Sequence, residues 1–169
     1  MNIRAEQPVD VQAIYDVVKR AFETAAHRDG NEHDLVNALR DSDAFIPELS
    51  LVAEIDGKIV GHILFTKVQI GTKPALALAP LSVLPKYQRQ GIGTALIKEG
   101  HKQAATLGYG YSVVLGSETY YPRMGYVMAR AYGILPPFDV PNENFMACKL
   151  RDDTPSVSGI VRYDASLGI

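Results

Sequence analysis

The sequence predicts a mixed α/β (α+β) fold, in which helices flank a mostly antiparallel sheet. Three observations lead to this prediction. Apolar residues recur at helical spacing in two early segments. The tight-turn pair Asp56-Gly57 separates two apolar runs, as in a hairpin. A later segment has the pattern of strand, glycine loop and helix, and this order differs from the strict alternation of a doubly wound sheet.

The composition is that of a globular protein. The chain has 169 residues, of which 47% are apolar and 21% charged, so we expect a single domain over residues 1–169 with a sizeable core. The net charge of −2 and the lack of a basic tract argue against a nucleic-acid partner. Apolar runs too short for a membrane span and a polar N-terminus predict a cytoplasmic protein without a membrane partner.

The first half of the chain is predicted to contain a strand, two helices and a hairpin. Proline has no amide hydrogen to donate to a sheet, so Pro47 indicates a loop around it. The predicted elements are a strand at 2–6, a helix from 8 to 22, a polar connection at 25–31, a helix at 32–40, a loop at 45–50, and hairpin strands at 51–55 and 59–65, the second reaching as far as 70.

The second half is predicted to form a strand, a helix and another strand, followed by a loop and two C-terminal strands. Gly108 stands where a helix C-cap belongs. The predicted elements are a strand at 75–83, a helix at 94–107, a strand at 111–115, an ordered loop at 136–141, and strands at 145–150 and 157–163.

The loop between the strand at 75–83 and the helix at 94–107 is rich in backbone donors. Gly91 and Gly93 have no side chain, so a ligand can approach the main chain closely. The first amides of a helix lack internal partners and lie at the positive end of its dipole, which favours a phosphate or diphosphate. The sequence has no G-x-x-x-x-G-K-[ST] motif, and Leu96 occupies the place of a third dinucleotide-binding glycine.

The run Gln88-x-x-Gly91-x-Gly93, after an apolar strand that ends Val83-Leu84-Pro85, resembles the acetyl-CoA loop of the GNAT superfamily of N-acetyltransferases. The resemblance implies that acetyl-CoA is the cosubstrate. It also implies that six residues bind the coenzyme's diphosphate: Arg89, Gln90, Gly91, Ile92, Gly93 and Thr94.

The same resemblance implies the geometry of the sheet. The strands at 75–83 and 111–115 should lie parallel at the centre of the sheet and splay apart. The coenzyme should enter the wedge between them, with the main-chain groups of Leu81 and Val83 binding the pantetheine arm as another strand would.

A second stretch, residues 116–126, is similar to the family's Phe-Tyr-x-x-x-Gly-Phe, with Tyr120, Tyr121 and Tyr126 in its aromatic places. Its compact form resembles the YhbS-like branch of bacterial predicted acetyltransferases, although the asparagine often found upstream has no counterpart. The resemblance implies that Tyr121 is the acid for the departing thiolate, since a phenol stays protonated at neutral pH. A purely structural role for Tyr120 and Tyr121 stays open.

Other polar residues are harder to assign. His62 lies in an apolar strand and is expected to be a hydrogen-bonded core residue, and Cys148 a small core residue. His27, His33 and His101 lie in polar contexts and are expected at the surface. No histidine has metal-ligand spacing with a carboxylate partner, so no metal is predicted. Four residues are open as candidates for the base: Glu54, His62, Ser82 and Glu118.

These observations together predict an N-acetyltransferase that moves an acetyl group from acetyl-CoA to a primary amine by direct attack in a ternary complex. The acceptor would be a small molecule or a peptide, and the protein a monomer or homodimer. The alternative is an acyl-CoA-binding regulatory module with little turnover.

Overall fold

The computed structural model describes residues 1–23 and 31–167, so most of the predicted connection at 25–31, with His27, lies outside the described residues. Nine strands and three α-helices follow one another within these ranges, with short 3₁₀ turns between some of them: β1 (Asn2–Ala5), α1 (Val11–Glu23), α2 (Glu32–Arg40), β2 (Phe45–Ile55), β3 (Lys58–Ile70), β4 (Lys73–Val83), α3 (Ile92–Thr106), β5 (Tyr111–Leu115), β6 (Val127–Met128), β7 (Ile134–Leu135), β8 (Phe145–Lys149) and β9 (Gly159–Arg162).

The strands form a mixed sheet with the order β1-β2-β3-β4-β5-β8-β6, while β9 pairs with the end of β3 and with β7. Along the main path every pair is antiparallel except β4 and β5. The parallel pairing predicted for residues 75–83 and 111–115 is therefore confirmed. The two short strands β6 and β7 were not predicted, and β9 is shorter than the predicted strand at 157–163.

Helix α3 packs closely on one face of the sheet. A Cβ atom at Gly100 would lie 2.3 Å from the Phe65 ring, so only glycine fits there without movement. A Cβ at Gly61 would meet Ile92 and Leu96 of the helix at 3.2 Å. Glycines on both elements thus fix how α3 rests on β3. Helix α1 packs against β3 and β4, and α2 packs against α1.

The hairpin between β2 and β3 is confirmed, with positive φ angles of 51° at Asp56 and 76° at Gly57. The predicted loop at 45–50 is wrong, because β2 begins at Phe45. The register between β2 and β3 is interrupted between Phe45 and Ser50. Pro47 lies in this irregular stretch, where a missing amide donor does not break the ladder.

The sheet opens between β4 and β5. Their pairing is limited to Leu76 with Ser112 and Ala77 with Val113, yet β4 continues to Val83. Within the described residues, no strand pairs with β4 on that side beyond Ala77. On its other side β4 has a bulge, since Ala79 and Pro80 face one residue of β3. The predicted splayed wedge is thus present.

Candidate active site

The loop before α3 is held in two left-handed backbone conformations. Arg89 has a φ of 61° and Gly91 a φ of 84°. Gly91 is the N-cap of α3, and because glycine has no side chain it cannot cap the first amides of the helix. Its carbonyl accepts a hydrogen bond from the Ala95 amide at 3.0 Å, which is the first bond of the helix. The amides before Ala95 therefore have no partner inside the helix.

The main-chain amides of residues 89–94 have no hydrogen-bond acceptor anywhere in the described parts of the chain. They gather at the N-terminus of a 15-residue helix, where the helix dipole is positive. Such an array favours an anionic ligand. The structure therefore brings together all six residues that the sequence assigned to the diphosphate: Arg89, Gln90, Gly91, Ile92, Gly93 and Thr94.

The two glycines of the loop have different surroundings. A Cβ atom at Gly91 would meet nothing within 4 Å, so this position is open to a ligand. A Cβ atom at Gly93 would lie 2.8 Å from the hydroxyl oxygen of Tyr120 and 3.5 Å from the Leu81 side chain. Gly93 therefore makes room for a side chain of the protein itself, which the sequence did not indicate.

The open edge of β4 carries the second group of predicted residues. The Leu84 amide bonds the Val60 carbonyl at 2.9 Å, so the antiparallel ladder makes Ser82 the next residue bonded to β3. The main-chain groups of Leu81 and Val83 consequently point to the wedge. Gln88 donates from Nε2 to the Val83 carbonyl at 3.0 Å, a role for the motif glutamine that sequence analysis missed.

Tyr121 begins a 3₁₀ turn after β5, and its ring lies between two other tyrosines. The ring centroids are 5.1 Å from Tyr120 and 5.7 Å from Tyr126, both edge-on. A Cβ atom at Gly116 would be 2.5 Å from the Tyr121 ring. Burial, and then the neighbouring Tyr120, raise the pKa of Tyr121 to about 12. Its hydroxyl has no hydrogen-bond partner among residues 1–23 and 31–167, so it can donate to a ligand.

Tyr126 supports this aromatic group through a hydrogen-bond chain. Its hydroxyl lies 2.8 Å from Ser112 Oγ and 3.0 Å from His101 Nε2. Burial lowers the pKa of His101 to about 4. The prediction that His101 lies at the surface is wrong. His101 follows Ile97 by four residues and so shares the buried side of α3, a spacing that the sequence does contain.

His33 was also expected at the surface, and that prediction is wrong too. Its ring packs edge-on against Tyr15 at 4.7 Å, and only 13% of its side chain is exposed. Cys148, in contrast, is buried in the core as predicted. Burial raises the pKa of its thiol to about 11, so it is not an activated nucleophile.

A buried polar cluster lies on the sheet face opposite α3. Arg40 donates to both carboxylate oxygens of Glu6, at 2.8 and 3.1 Å. Ser50 bonds the same carboxylate and lies 2.9 Å from His62 Nε2. Burial, and then the charge of Arg40, lower the pKa of His62 to about 3. His62 is thus the hydrogen-bonded core residue that the sequence predicted.

Proton positions in this cluster follow from its chemistry. The Glu6 carboxylate can only accept, so the Ser50 hydroxyl donates to it and in turn accepts from His62 Nε2–H. His62 Nδ1 is then a bare acceptor. It is fully buried and has no hydrogen-bond partner among the described residues, and the same is true of the Ser82 hydroxyl across the strand pair. Neither group reaches solvent.

The two remaining candidates for the base are carboxylates. Glu54 lies 3.5 Å from Arg4, which also pairs with Asp10. Glu118 is exposed and accepts a bond from the Asn144 amide at 2.8 Å through one of its oxygens. In the described ranges no group of three or more histidine, cysteine, aspartate or glutamate residues is arranged to hold a metal ion. Nor is any described helix both long and apolar enough to cross a bilayer.

An amide-rich helix start beside the open edge of a splayed sheet is the arrangement expected of a coenzyme A-dependent acyltransferase. Residues 11–126 match the family model described as "Acetyltransferase (GNAT) family". The chain is 39% identical over 151 residues to YjhQ, an uncharacterized N-acetyltransferase of Escherichia coli K12, covering 85% of this chain and 83% of that protein. It is 33% identical over 167 residues to YhbS, another uncharacterized N-acetyltransferase of that strain, with 96% of each chain covered.

Two solved structures are similar over nearly the whole chain. E. coli YhbS in complex with CoA superposes with a TM-score of 0.89, at 29% identity, over 99% of this chain and 92% of that one. A GNAT acetyltransferase of Brucella melitensis in complex with acetyl-CoA has a TM-score of 0.81, at 36% identity, over 98% and 97%. The chain therefore belongs to the GNAT family of acetyltransferases, enzymes that use acetyl-CoA as cosubstrate, and the resemblance seen in its sequence is confirmed.

Proposed function

We propose that this protein transfers the acetyl group of acetyl-CoA directly to a primary amine within a ternary complex. The observation that carries the proposal is the row of amides at residues 89–94, which have no acceptor within residues 1–23 and 31–167. They lie next to an edge of β4 that has no partner strand in the same ranges. A diphosphate attached to an extended, amide-bearing arm matches both features. The acceptor in this proposal is a small molecule or a peptide.

In this proposal the coenzyme runs from the loop before α3, along the open edge of β4, towards Tyr121. Its diphosphate accepts from the loop amides before α3, and its arm bonds the wedge-facing edge at Leu81 and Val83. The Val83 carbonyl already accepts from Gln88, so at that residue the amide is the group left for the arm. The thioester then lies towards Tyr121, where β4 and β5 begin to separate.

Tyr121 is the proposed donor to the leaving sulfur. The amine nitrogen forms a bond to the acetyl carbon, the carbon–sulfur bond breaks, and a proton from the amine finally neutralises the thiolate. With a pKa of about 12, the phenol does not lose its proton outright to a thiolate of pKa about 8.5. It stabilises the sulfur by donating a hydrogen bond as negative charge develops.

The amine must be neutral before it attacks. For a lysine-like amine of pKa about 10.4, deprotonation at pH 7 costs roughly 4.6 kcal/mol. His62 and Ser82 are enclosed in the core, and Glu54 is paired with Arg4. Glu118 is the candidate that is exposed and free of a cationic partner within the described residues, and it stands three residues before Tyr121. We retain it as the proposed base, acting directly or through water.

The experiment is an incubation with acetyl-CoA and a panel of primary amines, in which released free thiol is followed over time. Small metabolic amines, amino sugars, peptide N-termini and lysine side chains should all be included. We expect thiol release that depends on one class of amine and saturates in both substrates. Tight CoA binding without amine-dependent release would instead support the acyl-CoA-binding module.

A further inference from the structure

The hydroxyl of Tyr120 lies against the first turn of α3. Its oxygen is 2.8 Å from the position that a Cβ atom of Gly93 would take, and 3.4 Å from Thr94 Oγ1. The backbone of Tyr120 belongs to the other side of the wedge, because Tyr120 follows β5 by five residues. Its side chain therefore reaches across the opening between the two halves of the site.

The two hydroxyls form an incomplete hydrogen-bonding pair. In the described residues, Tyr120 Oη and Thr94 Oγ1 have only each other as partners, at a separation near the limit of a hydrogen bond. One of the two protons is therefore without an acceptor whichever hydroxyl donates. Both lie beside amides at the positive end of a helix, where an anionic oxygen is the favoured acceptor.

We propose that the Tyr120 hydroxyl binds an oxygen of the coenzyme's diphosphate, with the Thr94 hydroxyl at its side. The proposal rests on the placement of acetyl-CoA in the proposed function. It assigns a role to a group that phenylalanine, the residue in the corresponding place of the family motif, does not have. It also explains why position 93 is glycine, since any side chain there would displace the Tyr120 oxygen.

In this proposal the neighbouring residues Tyr120 and Tyr121 have different functions. The rings of Tyr120 and Tyr121 pack edge-on with their planes at 78°, and the Tyr120 hydroxyl is the one that lies beside Thr94. Tyr120 binds the coenzyme near the diphosphate, and Tyr121 faces the reacting sulfur. Removal of one hydroxyl should weaken affinity, whereas removal of the other should slow turnover.

The test compares Tyr120→Phe with Tyr132→Phe, a tyrosine whose ring packs on Tyr111 away from the loop. Affinity is measured by calorimetry for two probes, CoA and adenosine 3′-phosphate 5′-diphosphate, which keeps the diphosphate and lacks the arm. We expect Tyr120→Phe to lower the affinity for both probes about fivefold to tenfold and to raise the KM for acetyl-CoA by the same factor. Tyr132→Phe should change neither affinity. Thermal unfolding confirms that each variant is folded.

Several results would overturn the inference. Unchanged affinity for CoA would remove the contact, and a loss with CoA but not with the shorter probe would place the hydroxyl on the arm. If wild-type protein binds CoA normally in these experiments, such results leave the proposed function intact. Failure of wild-type protein to bind CoA or to release thiol would contradict the proposed function itself.

A second variant tests the geometry without relying on hydrogen-bond strength. Gly93→Ala places a methyl carbon 2.8 Å from the Tyr120 oxygen, too close for both to keep their positions, and it should weaken CoA binding about tenfold. In a Tyr120→Phe background that oxygen is gone, so the same substitution should weaken binding only about twofold. Equal effects in the two backgrounds would show that the residues do not interact and would contradict the proposal.

Discussion

Two polar regions of this protein lie on opposite faces of the same sheet and differ in how their hydrogen bonds are completed. In the loop before α3, the amides of residues 89–94 have no acceptor in the described protein. In the cluster on the other face, Arg40, Glu6, Ser50 and His62 bond one another. Residues 88–91 of the first region are exposed, whereas Ser50 and His62 of the second are fully buried.

Under the proposed function, the contrast separates groups that bind the coenzyme from groups that stabilise the fold. Solvated donors can remain without a protein partner, because water serves them until an anion arrives. Enclosed charges must be paired within the chain, because a buried unpaired charge is strongly destabilising. Substitutions in the loop should therefore change coenzyme binding, and substitutions in the cluster should change stability.

The largest effect is expected for Gly91→Glu. A non-glycine residue at a φ of 84° is strained, and a carboxylate there would repel the diphosphate. We expect CoA affinity to fall at least about a thousandfold by calorimetry, beyond detection. Gly57→Glu is a matched control, because Gly57 also has a positive φ of 76° and open space around its Cβ position. Normal CoA affinity in Gly91→Glu would remove the loop from the site.

Acid should weaken the buried regions. The folded pKa values of His62, about 3, and His101, about 4, lie below the unfolded value of 6.5. The unfolded chain therefore binds more protons below pH 6.5, and stability falls as the pH drops through that window. From pH 7 to pH 5 the two histidines should remove about 3–4 kcal/mol of unfolding free energy, measured by denaturant titration. His101→Gln should remove about half of this dependence, and an unchanged slope would contradict its buried neutral state.

Tyr121→Phe is expected to act on rate. Loss of the phenol removes a donor to the leaving sulfur, so kcat should fall about tenfold to a hundredfold while the Kd for acetyl-CoA stays within twofold. The measurement is steady-state thiol release together with calorimetric binding. A wild-type kcat in this variant would show that Tyr121 only packs against Gly116 and Tyr126.

The smallest changes in unfolding free energy are expected for two buried serines on one sheet face. Their comparison distinguishes a hydroxyl with hydrogen-bond partners from one without. Ser50→Ala breaks the link between Glu6 and His62 and should lower the unfolding free energy by about 1–2 kcal/mol. Ser82→Ala removes a hydroxyl that has no partner in the described part of the chain, so the unfolding free energy should stay the same or rise by about 0.5 kcal/mol. A loss above about 1 kcal/mol for Ser82→Ala would reveal a buried water bound to that hydroxyl.

Much of the fold could be predicted because local rules decided it. The Asp56-Gly57 turn and the helical spacing of apolar residues needed no knowledge of distant contacts. Pro47 misled the prediction because its effect depends on pairing with β3, and the register there is interrupted. The short strands β6 and β7 have two residues each, too few for any periodic pattern.

The site was predicted less completely, for a physical reason. Amides at a helix start are implied by the sequence pattern alone, so the position of the glycine loop before α3 could be predicted. The contact of Tyr120 with Gly93 joins segments about 27 residues apart, and the bond from Gln88 to Val83 depends on how the chain turns after β4. The choice of base depends likewise on side-chain surroundings, which spacing along the chain does not determine.

If the coenzyme binds in the gap beside β4, it couples this protein's folding to the supply of acetyl-CoA. A bare strand edge is a place where other chains can add and aggregate. A coenzyme that occupies that edge shields it and favours the native chain over the unfolded one by mass action. At a hundred times its Kd, such a cosubstrate adds about 2.7 kcal/mol to the unfolding free energy. Cellular acetyl-CoA would then determine how much of the protein survives as well as how fast it works.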